Sequence, residues 1–420
     1  MLTLLAFCKQ AGRLIKKASS TGIMETLSTG KRKGSSQYKT SKKAKRSPRI
    51  FDFTRYNQRR VAFKLAYIGW DYYGLASQEG IEKTIEAELF NALTKTCLIE
   101  NRTNSNYSRS GRTDKGVSAL GQVISLNVRT NLASGPGVIV GKNANTSSKQ
   151  TETVSELSYV KLLNKVLPGD IRILAWAPVD NDFSARFNTV SRTYKYYFPR
   201  ANMNIEAMNE AAQRLKGEHD FRNFCKMDLA NVSNFRREIL SIKVQSIETP
   251  NQGFEMCEII VCGKAFLWHQ VRCMVAILFL IGQGLEDANI INYMLDIEKC
   301  NKKPQYGMAS EFPLVLFDCA YKDISWIYDD YAHKLTVRHF KELWAEYAIK
   351  TTLIKEMLKQ ISVAPNDSQD NEKTDSLQIS YDQPGSLTPG HYDKVSTYKS
   401  IRTRPTCELA PATPGSSKGK

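Results

Sequence analysis

The chain is poor in every residue pattern that holds a metal or a nucleotide cofactor. Its nine cysteines form no Cys-x-x-Cys pair and its five histidines are scattered, so no Cys/His quartet stands at zinc spacing. Free thiols in a reducing compartment fit this usage better than a disulfide framework does. There is no Gly-x-x-x-x-Gly-Lys-Ser/Thr loop and no Gly-x-Gly-x-x-Gly after a strand, which argues against ATP- or dinucleotide-dependent chemistry. No uninterrupted apolar run reaches the ~18 residues of a membrane span. The longest candidate, residues 265–281, is broken by His269, Gln270 and Arg272. Acid is almost missing from the first fifty residues, where Glu25 stands alone among many Lys and Arg.

What the chain does have is positive charge. A formal net charge of +17 and a pI of about 9.3 point to an anionic partner, nucleic acid first and an anionic membrane surface second. With 420 residues, 42% of them apolar, it can build two modest domains or one large one. Lys42-Lys43-Ala44-Lys45-Arg46 before Ser47-Pro48 reads as a nuclear-import cluster, or as a basic tail touching RNA. The amphipathic, acid-free residues 1–17 also fit a mitochondrial presequence. Nucleus and cytoplasm are the expected compartments, with the mitochondrion as the alternative.

Periodicity divides the chain into a basic unstructured tail over 1–58, an N-terminal lobe over 59–182 with a flexible insert at 131–156, a C-terminal lobe over 183–330, a helical extension over 331–363 and an unstructured tail over 364–420. Val61, Phe63, Leu65 and Tyr67 alternate as a strand with one buried face. Thr84 caps a helix whose first turn holds Glu86 and Glu88, where the dipole favours acids. Asn204 caps another helix, and a largely apolar one runs from about 266 to 282. The expected class is α+β with antiparallel neighbours.

Three features carry chemistry. The first is Ser108 to Gln122, in which Gly111 and Gly116 bracket Arg112, Asp114 and Lys115. Cations beside a carboxylate favour its charged form and attract phosphate, and glycines let backbone approach a ligand. Asp114 is therefore either a reactive carboxylate at the edge of a polyanion site or an ordinary turn residue. The second is Arg272, a guanidinium in the apolar run 271–280. It needs an anion, for which Asp114 is the natural candidate, or it snorkels to solvent. The third is Arg192-Thr193-Tyr194-Lys195-Tyr196-Tyr197, where Tyr194 and Tyr196 share a strand face. That pattern suits base stacking and phosphate contact, or simply a core with polar tips.

Four segments together resemble the TruA family of tRNA pseudouridine synthases: 66–74; Gly111-Arg112-Thr113-Asp114-Lys115-Gly116-Val117; Phe183-Ser184-Ala185-Arg186-Phe187 with 192–196; and 263–272. The likeness spans about 59–321, and Ser77-Gln78 with the 108–122 wording is most similar to the eukaryotic branch that modifies tRNA positions 38 and 39. Leu75 to Gln78 differ from the bacterial pattern, and Pro313 stands where glycine is common. The resemblance implies two lobes with mixed, largely antiparallel sheets joined across a basic cleft, helices outside. It implies a uridine flipped from the anticodon arm, Asp114 as the catalytic residue, Tyr194 against the base and moving a proton, and Arg272 paired with Asp114. Arg112 would hold the flipped nucleotide and Leu314 line the base pocket. No cofactor, metal or membrane is implied, and a homodimer is. A non-catalytic RNA-binding protein or tRNA chaperone on the same scaffold, and a synthase for other RNA sites, are the alternatives.

Overall fold

The computed structural model describes residues 51–141, 155–228, 232–247, 255–362 and 397–407. The strands are β1 (Asn57–Tyr67), β2 (Ser108–Arg109), β3 (Ser118–Thr130), β4 (Val138–Ile139), β5 (Ile171–Pro178), β6 (Thr189–Pro199), β7 (Gly217–Asp220), β8 (Arg236–Ile247), β9 (Met256–Gly263) and β10 (Leu314–Tyr321). They form one sheet in the order β4-β1-β3-β10-β6-β9-β8-β7, with β2 also on β3 and β5 also on β1. Every pairing is antiparallel except β10 with β3, which is parallel through Val315 with Ser118 and Leu316 with Ala119. The class is α+β. Late-chain β10 lies between strands of the two sequence halves, so residues 314–321 close one sheet across them.

The helices are α1 (Ile85–Lys95), α2 (Tyr159–Asn164), α3 (Ile205–Gln213), α4 (Gln270–Gly282), α5 (Asn289–Leu295) and α6 (Asp330–Ser362). Both expected caps form: Thr84 Oγ1 accepts from Ala87 N at 3.2 Å and Asn204 Oδ1 from Ala207 N at 2.9 Å. Each satisfies an amide that the first turn would otherwise leave without an acceptor. α4 starts at Gln270, later than its apolar pattern suggests, because His269 adopts a left-handed φ of 61°. An apolar run cannot reveal that turn.

Several expected boundaries shift. β1 is buried on both faces rather than one, and pairs with β3 and β5 along its two edges. Within the expected N-terminal tail, Phe53–Arg55 forms a short 3-10 turn that Asp52 caps. Within the expected insert, Val138–Ile139 pairs with β1, while 142–154 lies outside the described residues. Residues 397–407 belong to the fold and not to a loose tail. Ile401 is buried, Tyr398 Oη donates to Glu286 Oε1 at 2.6 Å, and Thr406 bridges to Pro304. The import cluster and presequence segment lie outside the described residues. The eight described cysteines are all free thiols.

Candidate active site

The Asp114 loop is built from its neighbours' backbones. Leu75 N donates to Thr113 O at 3.1 Å, Gly116 N to Tyr72 O at 3.1 Å, and Val117 N to Asp114 O at 3.2 Å. The buried Tyr67 hydroxyl meets Thr113 Oγ1 at 2.8 Å, and Gln122 Nε2 donates to Gly111 O at 2.9 Å. Gly116 is required on two counts: its φ is +78°, and a Cβ there would lie 2.7 Å from Glu311 Cγ. The loop is therefore held at both ends, leaving the Asp114 side chain 30% exposed at the rim of a cavity of about 1250 Å³.

That cavity gathers all five residues singled out from the sequence: Arg112, Asp114, Tyr194, Arg272 and Leu314. Its lining also includes the cations Arg109, Lys115, Arg186, Lys226 and Arg237, and the acids Asp228 and Glu311. Arg112 is exposed, whereas Leu314 is buried. Tyr194 comes off β6 on the same buried face as Tyr196, as alternation requires. Its ring meets Phe266 edge-on at 5.2 Å. Burial above all pushes its phenol well above the ordinary tyrosine range, Cys319 and Asp114 adding to the shift and Arg192 opposing it, so the hydroxyl keeps its proton at neutral pH.

Arg272 does not pair with Asp114. Its Nη2 lies 2.8 Å from Glu311 Oε2, and its Nε donates to Ala309 O at 2.7 Å. A guanidinium only 11% exposed takes the nearest carboxylate, and that carboxylate comes from a segment 39 residues further along.

Asp114 instead meets two residues that had been given no role. Trp268 Nε1 donates to Oδ1 at 3.2 Å, and His269 Nε2 lies 3.3 Å from Oδ2. Burial first, then Arg272, Lys226 and Lys303, lower the His269 pKa, with Asp114 pulling the other way. The ring is therefore neutral near neutral pH. Both residues lie in the same segment as Arg272, so their presence was legible but their direction was not. The left-handed turn at His269 sets that direction.

Residues 211–322 match the family described as tRNA pseudouridine synthase. A tRNA pseudouridine(38/39) synthase from Bos taurus is 48% identical over 372 residues, covering 86% of this chain and 77% of the relative. One from Homo sapiens is 47% identical over 381 residues, covering 87% and 78%. One from Saccharomyces cerevisiae is 44% identical over 314 residues, covering 72% and 67%. Identity this high over most of both chains, added to the Asp114 loop and the cavity it borders, means that the chain belongs to the TruA family of tRNA pseudouridine synthases, in its eukaryotic pseudouridine(38/39) branch.

Proposed function

We propose that this protein isomerises uridine to pseudouridine in the anticodon arm of tRNA, at the positions 38 and 39 for which its relatives are named, with Asp114 as the catalytic residue. The observation that carries this reading is the partly exposed Asp114 carboxylate on a loop hydrogen-bonded at both ends, facing a cavity that also holds Tyr194, Leu314 and several cations. The reacting carbon of a stacked uridine is out of reach, so the nucleotide flips out of the arm. Arg112 and its neighbouring cations grip phosphate. Leu314 gives the uracil an apolar wall, and the neutral Tyr194 phenol lies beside the base as a proton carrier.

The chemistry needs one glycosidic bond broken and another made. Asp114 attacks the uridine or removes a ribose proton, and the N1–C1′ bond breaks. The uracil rotates and C5 bonds to C1′, as the bond from Asp114 breaks or, in the other route, as the ribose takes its proton back from Asp114. C5 then loses its proton and N1 holds one, so atoms and charge balance without any redox step. The strands on either side of β10 act as two lobes flanking a basic cleft for the anticodon arm, and a homodimer and nuclear entry through residues 42–46 belong to the same reading.

Asp114→Asn tests it. The variant should bind tRNA with near wild-type affinity and form no pseudouridine when the product is mapped base by base. Turnover close to wild type in that variant would refute the assignment. A tRNA with no uridine at 38 and 39 should go unmodified, and modification elsewhere in it would point to other RNA sites.

A further inference from the structure

We propose that Trp268 and His269 are a positioning pair that holds the Asp114 carboxylate in its reactive orientation. The inference rests on the catalytic role given to Asp114 above and adds the device that sets its geometry.

A carboxylate on a short side chain rotates about its own axis unless both oxygens are held. Here each oxygen faces one nitrogen: Trp268 Nε1 donates to Oδ1 at 3.2 Å, and His269 Nε2 lies 3.3 Å from Oδ2. Arg272 is committed to Glu311 and leaves the task to these two. Contacts of this kind are commonly long before substrate arrives and tighten in the reacting complex.

Consecutive side chains diverge in regular helix or strand, so they do not meet at one carboxylate there. They do meet here because His269 has φ 61° and ψ 11°, a conformation uncommon outside glycine that residues such as Asn and His tolerate best. Backbone of this kind persists where the surroundings hold it, and it concentrates at functional sites. The surroundings are explicit. Lys226 N donates to Trp268 O at 2.9 Å and Cys273 N to His269 O at 3.0 Å. Leu267 N donates to Gln270 Oε1 at 2.8 Å, and the Lys226 ammonium lies 4.4 Å from the centre of the Trp268 ring.

Among the described residues no other group hydrogen-bonds the imidazole. Its Nδ1 is buried and without a hydrogen bond among the described residues. A neutral ring carries one N–H; on Nε2 it faces Asp114 Oδ2 across 3.3 Å, a contact that tightens into a hydrogen bond in the reacting complex if the proposal holds. Asp114, Arg272, Lys226 and Lys303 are the charged groups acting on that ring.

The test uses the full-length protein and a tRNA transcript, reading single-turnover pseudouridine formation, tRNA affinity and thermal unfolding separately. Trp268→Phe keeps an aromatic ring on Lys226 but removes the N–H. His269→Asn tolerates the left-handed turn but is too short to reach Asp114, whereas His269→Gln carries an amide nitrogen close to where Nε2 was. Trp268→Phe and His269→Asn should slow the chemical step roughly tenfold, in line with the cost of misaligned reacting groups. His269→Gln should recover most of the rate, and all three should bind tRNA within about twofold of wild type. Wild-type rates in Trp268→Phe and His269→Asn, losses confined to affinity, or a His269→Gln no better than His269→Asn would overturn the proposal. If His269→Asn does not fold, the rates of Trp268→Phe and His269→Gln decide it alone. A wild-type protein that forms no pseudouridine, or an active Asp114→Asn, would instead refute the underlying function.

Discussion

Arg272 on α4 lies 2.8 Å from Glu311, and Glu311 Cγ lies 2.7 Å from where a Cβ on Gly116 would be, two residues from Asp114. The buried cation thus reaches the Asp114 loop through a second carboxylate. The two partners differ in exposure, 11% for the Arg272 side chain and 37% for Glu311. Removing Glu311 therefore strands a cation that water barely reaches. Glu311→Ala should destabilise the fold by about 1–3 kcal/mol, discounted for the exposed half of the pair. Glu311→Gln should cost about half as much, since it keeps an acceptor. Urea unfolding measures both, and an unchanged midpoint in Glu311→Ala would show that the pair contributes nothing.

Gly116 and Gly80 allow a paired comparison. Both have positive φ, +78° and +74°. A Cβ at Gly80 meets nothing within 4 Å, whereas at Gly116 it collides with Glu311 Cγ at 2.7 Å. Gly80→Ala should therefore cost only the backbone penalty, about 1 kcal/mol, and leave turnover intact. Gly116→Ala adds the collision and displaces the Asp114 loop, so pseudouridine formation should fall by at least about tenfold. Equal activities in the two variants would mean that the loop absorbs the strain.

What was legible in the sequence is what is local. The glycine bracket around Asp114, the Thr84 and Asn204 caps, and the alternation that buries Tyr194 with Tyr196 all depend on neighbours a few residues away. The misses are long-range. Arg272 does need an anion, but Glu311 could not be preferred to Asp114 without knowing that the segment before β10 crosses over α4. The parallel pairing of Val315 with Ser118 joins strands nearly two hundred residues apart, and no period announces it. Residues 397–407 look like tail by composition, yet the buried Ile401, the Glu286 carboxylate and backbone pairing with residues 303–305 dock them.

Glu86 shows the same limit. It looks like a first-turn acid serving the helix dipole, but it is fully buried. It accepts from Ser77 N at 3.0 Å, Arg102 at 2.8 Å, the Tyr107 hydroxyl at 2.9 Å, and Arg109. Ser77 and Arg109 both line the cavity, so one carboxylate ties the cavity wall to α1. Glu86→Ala removes the carboxylate from two partly exposed guanidinium groups and should cost about 1–3 kcal/mol. Glu86→Gln keeps the shape and should lose less. Thermal unfolding of the two variants ranks them, and a Glu86→Ala protein as stable as wild type would exclude the hub.

Glu156 gives the pH dependence its sign. It is the last residue of the expected insert, accepting from Arg59 at 2.8 Å, from Thr130 Oγ1 at 2.8 Å and from Leu157 N at 2.9 Å. Burial pushes its carboxyl upward, but the Leu157 amide, Arg59 and Thr130 together hold it below the ordinary value of 4.5. A carboxyl whose pKa is lowered by folding stabilises the native state above its unfolded pKa, and that stability is lost as pH falls through the lower, folded value. Glu156→Gln should therefore be less stable than wild type at neutral pH by about 1–3 kcal/mol, the range for hydrogen bonds to a charged group. The two proteins should converge as the pH drops below 4.5. The measurement is the urea midpoint of each protein from neutral pH down to the acid limb. A constant gap across that range would show that the neutral carboxyl serves Arg59 as well as the charged one, and that the ionisation of Glu156 contributes nothing to the fold.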